Sequence, residues 1–264
     1  MRNFVAVPHS TEKVAETIWW KQGLISFKTT RPQALKYDAG EYARIAFPNN
    51  QFPVWRAYSF VSSPESDLLE FFGVVVPQGN FSRQLQQLQQ GDQILIEHES
   101  YGFMTADRFV DGDDLWLVGT GTGIGPYISM LRQGDVMSQF RRIFLVRGVR
   151  VASDLIPYQD ELRQMTGSAD VDQTEARLTL ITCISQEDEK TTDSHRLSGK
   201  RVTSAMDDGT LEQSAGISLD VSRSRVMLCG NPQMVEDMRQ RLHQRGFKPC
   251  RRQTPGQFLT ENYW

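Results

Sequence analysis

The stretch LWLVGTGTGIGPYISMLRQ, Leu115 to Gln133, carries the reading that decides the fold. Four apolar residues, Leu115–Val118, read as a buried strand. The glycine-rich run that follows, Gly119–Gly125, leads into Pro126, which suits the first turn of a helix that runs on as PYISMLRQ. A strand, a glycine-rich turn and a helix N-terminus present free N–H groups and a positive dipole end to an anion. The spacing differs from G-x-G-x-x-G, and no acid closes the next strand to hold a ribose hydroxyl. A plain strand-to-helix turn is therefore the competing reading.

Outward from this point the chain has two rhythms. Downstream, the strand candidates RIFLVRG (Arg142–Gly148), RLTLITCIS (Arg177–Ser185) and RVMLCG (Arg225–Gly230) are each followed by a helical stretch. Repeated βα units imply a parallel sheet covered by helices. The polar run Ser185–Gly199 reads as a surface loop. Upstream, LISFKTT, EYARIAF, RAYSFVSS, LLEFFGVVVP and QILIEHE follow one another with turn signals between them. Only one helical candidate interrupts them, SRQLQQLQQ at Ser82–Gln90, with Ser82 as its N-cap. Short strands at this spacing suggest an antiparallel barrel or sandwich. The expected boundary lies near Ala106–Asp111, with a β-barrel domain over 1–106 and an α/β parallel-sheet domain over 107–264.

Composition bounds the partners. The 264 residues carry a net charge of −3, 39% hydrophobic and 23% charged residues, which suits two ordinary soluble domains and argues against wholesale nucleic-acid binding. The 3 cysteines, Cys183, Cys229 and Cys250, are far apart and form no C-x-x-C pair, so no metal site is expected and a reducing compartment fits. No run approaches the roughly 18 apolar residues of a membrane span, so a cytoplasmic protein is expected.

RAYS, P-x-G-x-x-S at Pro77–Ser82, GTGTGIGP, LCGNPQM and a terminal YW occur here in the order seen in the ferredoxin–NADP⁺ reductase family. The chain most closely resembles the bacterial flavodoxin/ferredoxin–NADP⁺ reductases, over nearly its whole length. The resemblance implies an FAD-binding antiparallel barrel followed by an NADP(H)-binding α/β domain. It also implies hydride transfer from NADPH to flavin N5, then single-electron transfer to ferredoxin or flavodoxin. An NAD(P)H-dependent flavin or small-molecule reductase on the same domains is the alternative, and a non-catalytic module is a third. The family is usually monomeric.

By the same resemblance Arg56 holds the FAD pyrophosphate, Tyr58 stacks on the isoalloxazine and Ser59 lies near flavin N5. Val74, Val76, Gly79, Phe81 and Ser82 complete the FAD set. Thr122 is shared between the flavin and nicotinamide sides, and Gly121, Gly123, Cys229 and Asn231 belong to the NADP side. Trp264 covers the flavin ring, and Glu261 is a polar residue beside the reacting atoms. Ser59, Cys229, Glu261 and Trp264 are thus the catalytic candidates.

The adenosine 2′-phosphate calls for cations past the strand ends, and Arg150 and Arg201 stand at such positions. Gln186 stands where many relatives place an arginine. The basic run Arg251–Gly256 is the candidate docking contact for an acidic carrier. A charge-assisted hydrogen bond contributes about 1.5–3 kcal/mol. Arg150→Ala is accordingly expected to raise KM for NADPH about tenfold and that for NADH far less. Equal effects on both cofactors in steady-state assays would remove Arg150 from the selectivity role.

Overall fold

The structure, a computed structural model, describes residues 7–48, 53–76, 79–167, 177–187 and 192–262. It separates into two compact units, one of Met1–Thr105 with Gly125–Gln133, the other of Ala106–Ile124 with Gly134–Trp264.

The first unit is a six-stranded antiparallel sheet that nearly closes on itself. Its strands are β1 (His9–Lys21), β2 (Leu24–Thr29), β3 (Tyr42–Ala46), β4 (Arg56–Ser59), β5 (Leu69–Val74) and β6 (Gln93–Glu97). They pair in the order β4-β3-β6-β1-β2-β5. Alternation places Ile25 and Phe27, Ala43 and Ile45, Leu69 and Phe71, and Ile94 and Ile96 in one apolar core. The strand β1 was not anticipated. Its inward position Glu12 is polar, buried, and accepts a hydrogen bond from the Ser10 hydroxyl at 2.6 Å. Register shifts at Val14/Glu16 and Trp19/Lys21 break the alternation further.

The helix after β5, α1 (Asn80–Leu85), has Gly79 at its N-cap, which corrects the expectation for Ser82. Ser82 lies inside the first turn, where its hydroxyl accepts the Val76 N–H at 3.0 Å. The helix also stops at Leu85, short of the expected Gln90.

Helix α2 (Gly125–Gln133) packs with the first unit although its N-terminus continues the glycine-rich turn of the second. Ser129 Oγ donates to the Ser62 carbonyl at 2.6 Å, and Arg132 Nη1 donates to the Val61 carbonyl at 3.0 Å and to Glu70 Oε2 at 2.7 Å. Glu70 is only 5% exposed, so Arg132 neutralises a buried carboxylate.

The second unit is built on a parallel sheet of β7 (Asp114–Thr120), β8 (Arg142–Val149), β9 (Arg177–Ile184), β10 (Arg196–Ser198), β11 (Ser224–Gly230) and β12 (Phe258–Asn262). The order is β10-β9-β8-β7-β11-β12. Helices α3 (Asp135–Gln139), α4 (Gln159–Gly167), α5 (Val202–Asp207), α6 (Thr210–Ala215) and α7 (Pro232–Gln244) connect the strands. Both sheet faces are buried. Trp116, Val118, Phe144 and Val146 pack with Val235, Met238 and Leu242 of α7 on one side, while Leu115, Leu117, Ile143 and Leu145 are also buried. The short edge strand β10 lies in the run expected to be loop; its three residues are too few for a periodic signal. The other edge, β12, had no forecast either.

Removing the cation from a buried ion pair is costly because the anion stays behind. Arg132→Ala is expected to lower the unfolding free energy by about 3 kcal/mol, read as a reduced urea midpoint. An unchanged midpoint would mean that Glu70 is adequately served by its other neighbours.

Candidate functional site

In the first unit the site candidates gather around Tyr58. Its ring rests against Phe81 (centroids 5.6 Å, 34°) and meets Phe27 and Phe71 edge-on at 6.1 and 6.3 Å. A Cβ on Gly73 of β5 would lie 2.8 Å from Tyr58 Cε1, so a glycine there makes the room the ring occupies. Burial pushes the Tyr58 phenol well above its ordinary pKa, with Arg56 opposing. A phenol is neutral at physiological pH even at its ordinary value, and the half-buried ring is a flat, uncharged surface.

Arg56, two residues earlier, is exposed, and its Nη1 donates to the Trp55 carbonyl at 2.9 Å. Ser59 is buried at the end of β4, opposite Tyr42. Val74 is half-buried and Val76 exposed. The Ser82 hydroxyl accepts the Val76 N–H, and a Cβ on Gly79 would lie 3.2 Å from that hydroxyl. Phe81 is 5% exposed and packs on Phe47 at 4.9 Å; its side chain belongs to the core, leaving only its backbone to face a ligand. Pro77 and Gln78 lie outside the described residues.

In the second unit the candidates lie at the carboxyl edge of the sheet, where ligands of open parallel sheets collect. The turn Gly121–Ile124 is a single 3₁₀ segment after β7. Gly121 has φ +58° with open space at its Cβ position, so its glycine answers a conformational need. Gly123 answers a steric one. Its Cβ would fall 2.6 Å from the Cys229 carbonyl oxygen and 2.8 Å from Gly230 Cα. The sequence reading gave these glycines to phosphate approach; at Gly123 the close neighbour is the end of β11.

Gly230 has φ +125°, and a Cβ there would overlap Thr120 Oγ1 and its carbonyl. Thr120 Oγ1 accepts the Asn231 N–H at 2.9 Å, tying β7 to β11. The Asn231 side chain caps α7, with Oδ1 accepting from the N–H groups of Gln233 at 2.9 Å and Met234 at 3.2 Å. Cys229 is fully buried, in register with Gly119 on one side and Glu261 on the other. Thr122 and Glu261 are half-buried. The assignment to Trp264 lies outside the described residues.

The candidate selectivity residues share this edge. Arg150 follows the last residue of β8 and is exposed; its carbonyl accepts the Gln186 N–H at 2.9 Å. Arg201, also exposed, follows Lys200, whose N–H donates to the carbonyl of Ile184, the last residue of β9, at 3.2 Å. Two side chains that sequence reasoning missed support this corner. Glu187 Oε1 accepts the Ala152 N–H at 2.8 Å, and Arg147 reaches from β8 to the carbonyls of Leu155 and Pro157. A charged residue inside the apolar run IFLVRGV was the available signal for Arg147. Among the described residues no group of three or more metal-ligating side chains occurs, and no helix is long and apolar enough to cross a membrane.

Residues 13–101 match the model of the oxidoreductase FAD-binding domain, and residues 117–240 that of the oxidoreductase NAD-binding domain. A flavodoxin/ferredoxin–NADP reductase of Shigella flexneri is 35% identical over 257 residues, 96% of this chain and 98% of the relative. The chain belongs to the flavodoxin/ferredoxin–NADP reductase family. A ferredoxin–NADP reductase of Pseudomonas aeruginosa is 31% identical, covering 95% of this chain and 96% of the relative. The crystal structure of a ferredoxin NADP⁺ reductase from Neisseria gonorrhoeae with bound FAD and NADP aligns with a TM-score of 0.89 at 31% identity, covering 97% of this chain and 99% of that one.

In this reductase the β7–β11 contact leaves no space for a side chain at position 230. Gly230→Ala is expected to cost about 2 kcal/mol or more in unfolding free energy, from positive φ and overlap together. Urea denaturation checks this, and a loss below about 0.5 kcal/mol would mean that the turn shifts freely.

Proposed function

We propose that the protein is an FAD-dependent reductase that moves electrons between NADPH and a ferredoxin or flavodoxin, acting in the cytoplasm as a monomer. The observation that carries this reading is the aromatic bed around Tyr58, in the segment that matches an FAD-binding domain. We assign residues 1–106 to FAD and 107–264 to the nicotinamide nucleotide.

The residues fit an isoalloxazine. The Tyr58 ring is flat, neutral and braced by three phenyl groups, and Gly73 keeps its seat clear. Covering a ring of that size stabilises by roughly 1.5–3 kcal/mol. Arg56 supplies an exposed planar fork suited to a pyrophosphate. The Ser82 hydroxyl accepts the Val76 N–H, which ties the end of β5 to the start of α1, where Gly79 and the backbone of Phe81 stand. Ser59 places a buried hydroxyl one residue beyond the stacking ring.

Thr122 and Gly121 form the turn we assign to the nucleotide, and Gly123 keeps that turn tight against β11. Cys229 and Glu261 stand side by side at the strand ends, a thiol and a carboxylate where the nicotinamide is to be oriented. The Asn231 side-chain oxygen Oδ1 is committed to capping α7, so its contribution is to aim that helix. Arg150 and Arg201 offer two cations to the adenosine phosphate, and Gln186 reduces that count by one relative to many relatives. Arg251 and Arg252 are exposed and are assigned to carrier docking. FAD, when bound, accepts a hydride from NADPH and releases electrons one at a time; the protein supplies position and electrostatics.

Anaerobic mixing of the purified holoenzyme with NADPH is expected to bleach the flavin band, and added ferredoxin or flavodoxin to restore it. NADH should bleach it more slowly. Protein that is colourless and takes up no FAD would end the proposal. Bleaching that free FMN reverses and neither carrier does would favour the flavin-reductase alternative.

A further inference from the structure

Arg147 stands inside β8, three positions before Arg150, in register with Gly119 and Thr182 on the neighbouring strands. It is 4% exposed. Its Nη1 donates to the Leu155 carbonyl at 3.1 Å and its Nη2 to the Pro157 carbonyl at 3.2 Å. Among the described residues its Nε–H has no partner, and no carboxylate is paired with it. Burial lowers its pKa to about 10. A buried cation without a counter-ion is costly, and an apolar side chain of similar length would pack there more favourably.

The carbonyls it holds belong to the segment between β8 and α4. That segment contains Tyr158, buried and with φ +61°, a conformation that a bulky residue keeps only when its surroundings impose it. The same segment is held from the far side. Glu187 accepts the Ala152 N–H, and the Gln186 N–H donates to the Arg150 carbonyl. Residues 150–158 are therefore pinned from both neighbouring strand ends, while the Arg150 side chain at the head of the segment is exposed.

We propose that Arg147 is a positioning residue for nucleotide selectivity, its two hydrogen bonds ordering the backbone of the 150–158 segment before the Arg150 side chain meets the adenosine 2′-phosphate of NADPH. The inference rests on the reading of Arg150 as the phosphate contact. A guanidinium's planar fork holds two carbonyls separated by one residue in a fixed geometry, whereas an ammonium, though it carries three donors, has no fixed fork. Preorganisation of this kind is felt in binding rather than in the chemical step.

Steady-state kinetics of the holoenzyme with a small dye as acceptor, using NADPH and NADH in turn, tests this. Arg147→Gln is expected to raise KM for NADPH about fivefold to tenfold, with KM for NADH and kcat changed less than about twofold. Arg147→Lys should give a smaller rise. In the Arg147→Gln/Arg150→Ala double variant the loss should equal that of Arg150→Ala alone, because the first residue acts through the second. Multiplying losses, a parallel rise in both KM values, or a fall in kcat would overturn the proposal. If Arg147→Gln fails to retain FAD, the lysine variant decides: a wild-type NADPH-to-NADH ratio in a folded protein overturns it. An Arg150→Ala variant that does not discriminate the cofactors removes the phosphate reading itself. A discriminating Arg150→Ala beside a non-discriminating Arg147→Gln removes the positioning role alone.

Discussion

The approach of the β7 and β11 strand ends, backbone against backbone, is the constraint on which the carboxyl edge of the second unit depends. Gly123 lies on the Cys229–Gly230 peptide, and Gly230 lies under Thr120. No side chain fits between them, so the turn after β7 has one available path. That path sets where Thr122 stands, and the Thr120 hydroxyl then fixes Asn231 and the start of α7. Cys229 and Glu261 follow as consequences, because β12 takes its register from β11. A parallel sheet buried on both faces has few places to put chemistry; its strand ends are where polar groups emerge.

The first unit solves a different problem. One aromatic ring, that of Tyr58, is held among three others. Three phenylalanines brace Tyr58 from below and from its edges, and Gly73 removes the side chain that would lift it. Nearby, Ser82 Oγ accepts the Val76 N–H and ties the end of β5 to α1. In both units, then, a glycine makes a close approach possible. Rigid elements place such groups more accurately than mobile loops.

Most strands that carry site residues were legible. Short β-rich runs such as LISFKTT, EYARIAF and QILIEHE, parted by turn signals, and strands such as LWLV and VMLC followed by helical stretches, distinguish an antiparallel barrel from a parallel sheet covered by helices. The elements that escaped were β1, β10 and β12. The first carries a buried glutamate and bulges, and the two others are short edges whose existence depends on the strand beside them. Ser82 looked like an N-cap because serine before a helix usually is one. Its neighbour Gly79 takes that position, and the hydroxyl finds the Val76 N–H instead.

By itself the sequence determined the two rhythms of the chain, and its five motifs in order carried the family resemblance from which most of the proposed cofactor residues follow, since rhythms and motifs are properties of short stretches. Only the tertiary structure decided which glycine serves which neighbour, that α2 packs with the first unit, and that Arg147 and Glu187 hold the segment behind Arg150. The reason is physical. A local pattern records what a residue demands of its own backbone and of one buried face, whereas a partner dozens of positions away is named only when folding brings its carbonyl or hydroxyl within about 3 Å.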